Sequence, residues 1–194
     1  MSPASQRKFW MRWRVRAGYF VAVAYWLLAS PTLRSIVYGA VVAAAGLAIR
    51  AAASGHLRKD RELATSGPYA WTRNPLYCGS AFLAAGFIVA GHSWIAGALV
   101  AVYFGVFYYA VMRNEERDLR ARFGAAFEDY AARVPLFFPG LAPKHHSADP
   151  ASASSAKFSW AQYRRNREYQ ALIGTIIGLA ALVLRMWIRT RWGY

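Results

Sequence analysis

The stretch PLYCGSAFLAAGFIVAGHSWIAGALVAVYFGVFYYAVM, residues 75–112, contains no Asp, Glu, Lys or Arg. At about 1.5 Å per residue, a single helix of that length would far exceed the roughly 30 Å hydrocarbon core of a bilayer. The segment must therefore fold back on itself, and Gly91, His92 and Ser93 form the turn-like cluster near its middle. The sequence predicts a tight hairpin of two membrane helices, residues 76–90 and 94–112.

The composition of the chain is also typical of a membrane protein. Its 194 residues are 57% apolar and only 17% charged, and the charges are bunched between apolar runs. The net charge of +15 is compatible with nucleic-acid binding, but the basic residues stand at the ends of apolar segments. There Lys and Arg set topology and meet anionic headgroups, so we expect membrane lipids as partners and no nucleic acid. A single cysteine, Cys78, excludes an internal disulfide.

Three further apolar segments predict membrane helices. Residues 13–30 follow a run of basic residues, and Leu27 is not the small residue that a signal-peptide cleavage site prefers, so we expect an uncleaved first helix. Residues 35–53 form the second helix, with Arg50 near its cytoplasmic end. Residues 169–188 form the last, and its Gly174 and Gly178 are spaced to pack on the bundle or on a second copy in a homo-oligomer.

Between the hairpin and the last helix the pattern becomes amphipathic. Over residues 113–134 an apolar stripe recurs at helical spacing, with charges on the other faces: Leu119, Phe123, Phe127 and Tyr130. This predicts a cytosolic helix that lies against the bundle or the membrane surface. The fold class is therefore an all-α polytopic membrane protein with about five transmembrane helices and one cytosolic amphipathic helix.

The distribution of charge predicts the topology and the domain organisation. Five spans with a cytoplasmic N-terminus put residues 54–74 and 113–167 in the cytosol, in agreement with the positive-inside rule. Arg185, Arg189 and Arg191 disagree with it, so the last helix is alternatively re-entrant or interfacial. We divide the chain into two N-terminal helices (1–55), a core (56–142), a polar linker (143–157) and a C-terminal basic segment with its helix (158–194).

Two polar segments on the predicted cytoplasmic side carry candidate chemistry. Glu115 and Glu116 are about 100° apart on a helix, so they cannot face the same partner. Glu116 has Arg120 four residues later, which predicts a surface pair, whereas Glu115 has Leu119 and is expected on the apolar stripe. A carboxylate on that stripe requires a partner, and a ligand can supply one.

The second polar segment precedes the uncharged hairpin. Asn74 followed by Pro75 is a good N-cap and first-turn pair, and the exposed amides of that helix start beside Arg73 suit a carboxylate or phosphate. The alternative is a well-capped membrane helix with an arginine that only sets topology.

Two strings resemble the signatures of the isoprenylcysteine carboxyl methyltransferase and phospholipid methyltransferase superfamily. The first is GPYAWTRNPLYCGS, residues 67–80, which is similar to G-x-Y-x-x-x-R-[HN]-P-x-Y-x-G. The second is NEERDLRARFGAAFEDYAARVPLFFP, residues 114–139, which is similar to E-E-x-x-L followed by F-G, Y, V-P and P. Both stand in the family's order with a helical hairpin between them, and the resemblance covers about residues 56–140.

The resemblance implies a helical membrane enzyme without a Rossmann domain, and no G-x-G-x-x-G occurs in the chain. It implies S-adenosylmethionine bound at the cytoplasmic face by the two signatures, with a lipid-like or isoprenoid substrate that enters from the bilayer. The matching residues are Tyr69, Arg73, Pro75, Tyr77 and Gly79 in the first signature, and Glu115 and Glu116 in the second. Asn74 stands where many members have His.

These matches predict a division of roles. Glu115 or Glu116 binds the cofactor's ammonium or ribose hydroxyls, and Arg73 with the capped helix start binds a carboxylate. Arg73 and Asn74 are the candidate catalytic residues, and Pro75 is counted among the cofactor-binding ones. The aromatic residues Tyr69, Trp71 and Tyr77 wall the pocket. His56, His145 and His146 have no partners at ligand spacing, so no metal site is expected.

Several functions remain open at this point. The methyl acceptor is a prenylated thiol or carboxylate, a phospholipid amine, or another membrane isoprenoid. A sterol-reductase-like enzyme that uses NADPH is the second class. A non-catalytic scaffold that gathers anionic lipids through its basic loops is the third.

Overall fold

The computed structural model describes residues 3–58, 62–140 and 157–192, with side chains placed from residue 13 onward except Arg14. Within those ranges all regular structure is helical, as predicted, and no strand occurs. The elements are α1 (Pro3–Leu28), α2 (Leu33–His56), a 3₁₀ turn (Gly67–Ala70), α3 (Pro75–Gly91), α4 (Trp94–Phe123), α5 (Ala125–Arg133), α6 (Trp160–Arg165) and α7 (Tyr169–Trp192).

Three of these helices, α2, α4 and α7, are long and apolar enough to cross a membrane. The other two predicted spans coincide with shorter apolar segments, Val15–Leu28 and Pro75–Gly91. The predicted hairpin is confirmed: α3 ends at Gly91 and α4 begins at Trp94. Ser93 immediately precedes α4, and its carbonyl accepts the Gly97 amide at 2.8 Å, as the carbonyl of an N-cap residue does.

The predicted boundary between the hairpin and the amphipathic helix is wrong. Helix α4 runs without a break from Trp94 to Phe123, and the chain turns only at Gly124, before α5. The change from an apolar to an amphipathic pattern reflects a change in the surroundings of the helix rather than in its backbone. No Gly or Pro lies between Met112 and Phe123, so nothing in the sequence interrupts the helical hydrogen bonds there.

The chain divides into two compact units, of which the first comprises Met1–Ala44, Phe82–Asn114 and Gly174–Tyr194. Its core contains Tyr25, Ala29, Ile36, Ala90, Ala96 and Leu182. The hydroxyl of Tyr25 donates to the carbonyl of Phe87, which satisfies a polar group that would be costly to bury alone. Gly91 of α3 leaves room for this ring, since a Cβ there would lie 2.6 Å from the Tyr25 hydroxyl.

Helix α7 packs within the first unit through several polar contacts with α1. Trp26 donates to the carbonyl of Ala181 at 2.9 Å, and Arg185 donates to the carbonyl of Leu27 at 2.8 Å. Gly178 packs closely on Phe87, since a Cβ there would lie 2.6 Å from the ring. The second glycine of the G-x-x-x-G therefore serves packing inside this chain, and a homo-oligomer through α7 stays a prediction.

The second unit comprises Ala45–Ala81 and Glu115–Ile173, and it holds both signature strings. The predicted apolar stripe is confirmed as its core: Phe127, Tyr130 and Val134 are buried, with Leu63, Leu119 and Phe123 packed against them. The division of the chain into four segments stays a prediction, and residues 141–156, which contain most of the proposed linker, lie outside the described ranges.

Candidate functional site

The two signatures are joined by main-chain carbonyls of the V-P-L-F segment that ends the second. Three donors of the first signature reach three consecutive carbonyls there at 2.9 Å each: the Arg73 amide to Pro135, the Asn74 side chain to Leu136 and the Thr72 hydroxyl to Phe137. Backbone carbonyls in a segment without regular structure need hydrogen-bond donors from elsewhere, and here donors of the first signature bind carbonyls of the second. The signatures therefore fold as one unit rather than as two independent motifs.

A buried tyrosine of the second signature supports the 3₁₀ turn of the first. The hydroxyl of Tyr130 donates to the carbonyl of Tyr69 at 2.8 Å, and both side chains are buried. Burial raises the pKa of both phenols, although the positive charge of Arg73 partly offsets the rise at Tyr130. Both hydroxyls consequently stay protonated throughout the physiological range.

Arg73 and Glu116 form a buried ion pair at the centre of these contacts. Nη1 of Arg73 donates to Oε1 of Glu116, and the two side chains are 15% and 7% exposed. The prediction that Glu116 is a surface residue paired with Arg120 is therefore wrong. The guanidinium of Arg120 instead meets Glu128, and both of those side chains are about half exposed.

The rotation of α4 explains this correction. Met112, Glu116 and Leu119 are spaced by four and three residues, so they lie on one face of the helix, and Met112 and Glu116 are both buried. Glu115, expected on the apolar stripe, is exposed. A stripe that includes Met112 gives the correct rotation of α4. The positive charge of Arg73 offsets the free-energy cost of burying the Glu116 carboxylate.

Glu115 lies beside the aromatic residues of the first signature. The hydroxyl of Tyr77 donates to Oε2 of Glu115 at 2.8 Å. After burial, the negative charge of Glu115 is the next largest cause that raises the pKa of Tyr69, followed by Tyr130 and Tyr77. Glu115 thus presents a carboxylate at the exposed edge of a cluster of three tyrosines.

One donor of Arg73 is not used by the protein atoms that the structure describes. Its Nε is buried and has no hydrogen-bond partner there, whereas Nη1 is bonded to Glu116. An unsatisfied buried donor on a charged group costs free energy, so such donors in native proteins call for a ligand or water as partner. Because Nε is buried, a ligand could reach Arg73 only through the rest of its guanidinium, whose charge Glu116 balances.

Of the remaining residues predicted for the site, Asn74 and Pro75 contact other parts of the protein and help to begin α3. The carbonyl of Asn74 accepts the amides of Tyr77 and Cys78 at 3.0 Å, as an N-cap carbonyl does, while its side chain is bonded to Leu136. Pro75 is fully buried at the first position of α3, and Trp71 is 41% exposed. Contacts of these residues with a cofactor stay predictions.

Thr72 is a residue that the sequence did not single out. It is buried, and its hydroxyl donates toward the carbonyls of both Leu136 and Phe137. It occupies a variable position of the signature, so neither the motif nor the periodicity marked it. Its partners lie more than sixty residues away in sequence.

The histidines carry no metal-binding geometry in the part of the chain that is described. No group of three or more His, Cys, Asp or Glu side chains suited to a metal ion occurs in it. Nδ1 of His56 lies 2.7 Å from the carbonyl of Ala52, one turn earlier in α2. His145 and His146 lie outside the described residues.

Comparison with known proteins gives three curated relatives over less than half of this chain. The nickel-cobalt-cadmium resistance protein NccN of Alcaligenes xylosoxydans xylosoxydans is 40% identical over 84 residues, which are 43% of this chain and 39% of that protein. The cobalt-zinc-cadmium resistance protein CzcN of Cupriavidus metallidurans is also 40% identical over 84 residues, 43% of this chain and 38% of that protein. Methanethiol S-methyltransferase 2 of Bradyrhizobium diazoefficiens is 37% identical over 83 residues, 42% of this chain and 30% of that protein.

These matches span at most about two fifths of the length of those relatives. No solved structure matches the chain. The family match is longer: residues 19–126, more than half of the chain, match the phospholipid methyltransferase family. That range contains the first signature, the hairpin and the Glu115–Glu116 pair. The chain belongs to the phospholipid methyltransferase family.

Proposed function

We propose that this protein is an integral membrane methyltransferase that uses S-adenosylmethionine and acts on an apolar or lipid-like acceptor at the cytoplasmic membrane face. The observation that carries the proposal is that the two signatures meet through their polar side chains, Arg73 with Glu116 and Tyr77 with Glu115. Membership of the phospholipid methyltransferase family supports methyl transfer as the reaction class.

The donor set of the site fits the polar groups of this cofactor. Arg73, whose side chain is 15% exposed, would bind the carboxylate of its amino-acid part, because a guanidinium makes strong charge-assisted hydrogen bonds to carboxylates. Glu115, exposed and already oriented by Tyr77, would accept from the ammonium or from ribose hydroxyls. The exposed face of Trp71 is available for a cation–π contact with the sulfonium.

When bound, S-adenosylmethionine supplies an electrophilic methyl group on a positively charged sulfur. The protein's own part would be to orient the methyl donor and the acceptor and to exclude water. A methyl displacement makes mainly these two demands, because it needs little proton transfer. Arg73 is held by Glu116 through its side chain and by Pro135 through its main-chain amide, which fixes the orientation of its guanidinium. Tyr69 would add an aromatic wall without adding charge, because a phenol is neutral at physiological pH and burial raises its pKa further.

The acceptor is proposed only by chemical class. The names of the relatives differ, with metal resistance in two and methanethiol in the third. We extend to this chain only methyl transfer to a thiol, carboxylate or amine carried by an apolar molecule. The membrane-type helices favour an acceptor that enters from the bilayer.

Ligand-dependent stability tests the cofactor. The purified protein in detergent should melt at a higher temperature with S-adenosylmethionine or S-adenosylhomocysteine, since ligand at 100 times its Kd adds about 2.7 kcal/mol of stability. NADPH at the same concentration should leave the melting temperature unchanged. Stabilisation by NADPH alone would favour the sterol-reductase-like alternative, and no effect of any of the three would favour the lipid-binding scaffold.

A further inference from the structure

The segment 157–168 packs in the second unit together with both signatures, although it lies beyond the family match, which ends at residue 126. The Ser159 amide donates to the carbonyl of Gly55 at 3.0 Å. The side-chain amide of Asn166 donates to the carbonyls of Ser54 and Leu57, both at 3.0 Å. These donors reach carbonyls in the last turn of α2 and at Leu57 just beyond it, where the amide donors of the helix run out. The segment is therefore built into the unit rather than appended to it.

An ion pair between Arg50 and Glu168 completes this attachment. Nε and Nη2 of Arg50 reach the two carboxylate oxygens of Glu168 at 2.5 and 3.1 Å, a bidentate arrangement. The side chains are 21% and 8% exposed. Glu168 also precedes α7, where a negative charge is stabilised by the helix dipole.

The same arginine holds the start of α3. Its Nη1 donates to the hydroxyl of Ser80 at 2.5 Å and to the carbonyl of Leu76 at 3.3 Å. Leu76 and Ser80 flank Tyr77 and Gly79, which belong to the first signature. One guanidinium therefore joins Glu168 to the first turns of the helix that carries Tyr77.

Gly79 is the signature residue that makes room for this arginine. A Cβ on Gly79 would lie 2.5 Å from Cγ of Arg50 and 2.7 Å from the carbonyl oxygen of Gly46. Real Cβ atoms do not approach that closely, so any other residue would push the Arg50 stem away from α3. The glycine of the signature and the Arg50–Glu168 pair thus form one arrangement.

The charge of Glu168 also acts on Tyr69. It is among the negative charges that raise the pKa of Tyr69, together with Glu115, after the larger effect of burial. Tyr69 is 7% exposed, and its carbonyl is bonded to Tyr130. Glu168 consequently lies within electrostatic range of Tyr69.

We propose that Glu168, oriented by Arg50, is a positioning residue of the candidate cofactor site, so that the segment 157–168 is part of the methyltransferase core. The inference rests on the proposed function for the identity of the ligand. Glu168 acts through Arg50 on the Leu76–Ser80 turn, which sets the place of Tyr77 and hence of Glu115. Loss of its charge leaves Arg50 without a counter-charge and loosens that turn.

The test compares Glu168→Gln and Arg50→Lys with Glu128→Gln as a matched control. Glu128 also pairs with an arginine of the second unit, but on an exposed surface. For each variant, calorimetry gives the Kd of S-adenosylhomocysteine, and hydrogen exchange gives the protection of a peptide that covers residues 64–80. We expect Glu168→Gln to weaken binding about ten-fold and to speed exchange in that peptide. Arg50→Lys keeps the charge and should fall between wild type and Glu168→Gln.

A purely structural role for the pair predicts a different pattern. It would lower the melting temperature while leaving the Kd and the exchange of residues 64–80 at the values of Glu128→Gln, and that result would overturn the proposal. If Glu168→Gln does not fold, unchanged binding and exchange in Arg50→Lys would overturn it. If the wild type binds no S-adenosylhomocysteine, the proposed function fails instead, and exchange in residues 64–80 still decides whether Glu168 positions this turn.

Discussion

Adjacent glutamates of the second signature have opposite surroundings. Glu116 is buried against Arg73, whereas Glu115 is exposed and accepts a hydrogen bond from Tyr77. Removing one partner of a buried ion pair destabilises the fold mainly because the other charge remains buried and uncompensated. An exposed carboxylate contributes little to stability and remains available to a ligand. Neutralising Glu115 should therefore change mainly ligand affinity, whereas neutralising Glu116 should change mainly the stability of the fold.

We predict that Glu115→Gln weakens the binding of S-adenosylhomocysteine about ten-fold, because a charged hydrogen bond is worth about 1.5–3 kcal/mol. Its melting temperature should match that of the wild type. Glu116→Gln should lower the free energy of unfolding by on the order of 3 kcal/mol, because Arg73 would remain buried without its counter-charge. Calorimetric titration and thermal melts measure the two effects separately.

Glu128→Gln is the control for both variants, since Glu128 and its partner Arg120 are about half exposed. It should change neither the affinity nor the melting temperature appreciably, as surface pairs contribute about 0–1 kcal/mol. Wild-type affinity in Glu115→Gln would remove that residue from the site. Wild-type stability in Glu116→Gln would contradict the role of its charge in the buried pair.

At the scale of elements, the break between α4 and α5 positions the second signature. Helix α4 carries Glu115 and Glu116, and α5 carries Tyr130, which supports the 3₁₀ turn. Gly124 between them has φ 50° and ψ −125°, a conformation that a residue with a Cβ adopts only with strain. The signature requires glycine after Phe123 because of this backbone conformation. Packing does not require it, since a Cβ on Gly124 would meet no atom within 4 Å.

We predict that Gly124→Ala lowers the free energy of unfolding by about 1–3 kcal/mol, the usual cost of a strained backbone conformation. Gly105→Ala in α4 is the control, because a Cβ at Gly105 also meets nothing within 4 Å and its backbone is helical. Alanine is the better helix former, so this control should be neutral or stabilising by up to about 1 kcal/mol. Equal melting temperatures for the two variants would refute the conformational argument.

At the scale of the whole molecule, the arrangement of positive charge bears on topology. Two of the three arginines of α7 that disagree with the positive-inside rule bind α1 or the segment after it: Arg185 donates to the carbonyl of Leu27 and Arg189 to the hydroxyl of Ser30, both at 2.8 Å. Leu27 lies in the last turn of α1, where carbonyls lack helical partners and a cation is favoured. A local structural role thus accounts for these charges without reversing the predicted orientation.

We predict that the first signature faces the cytoplasm and the hairpin turn faces the opposite side. In a Cys78→Ser background, a cysteine at Ser66 should react in intact cells only with membrane-permeant reagents, and one at Ser93 also with impermeant ones. Both native serines are partly exposed, which makes the two positions comparable. Labelling of position 66 by the impermeant reagent would place the candidate site on the other side of the membrane.

The sequence alone was sufficient for the five apolar helices and for four residues of the second core, but not for the continuity of α4 or for α6. Uncharged length compels residues 75–112 to fold back, and a stripe at helical spacing identifies Leu119, Phe123, Phe127 and Tyr130, because both signals depend on residues near one another in the chain. The signature strings likewise identified the family, since a motif is read locally.

Only the tertiary structure decided which glutamate is buried, where the Asn74 side chain binds and what the segment after residue 156 does. Glu116 points inward because Arg73, 43 positions away, neutralises it, and Asn74 binds a carbonyl 62 positions away. Glu168 meets Arg50 across 118 positions. A buried polar group takes its place from a partner brought near by the folding of the chain, and no local pattern names that partner.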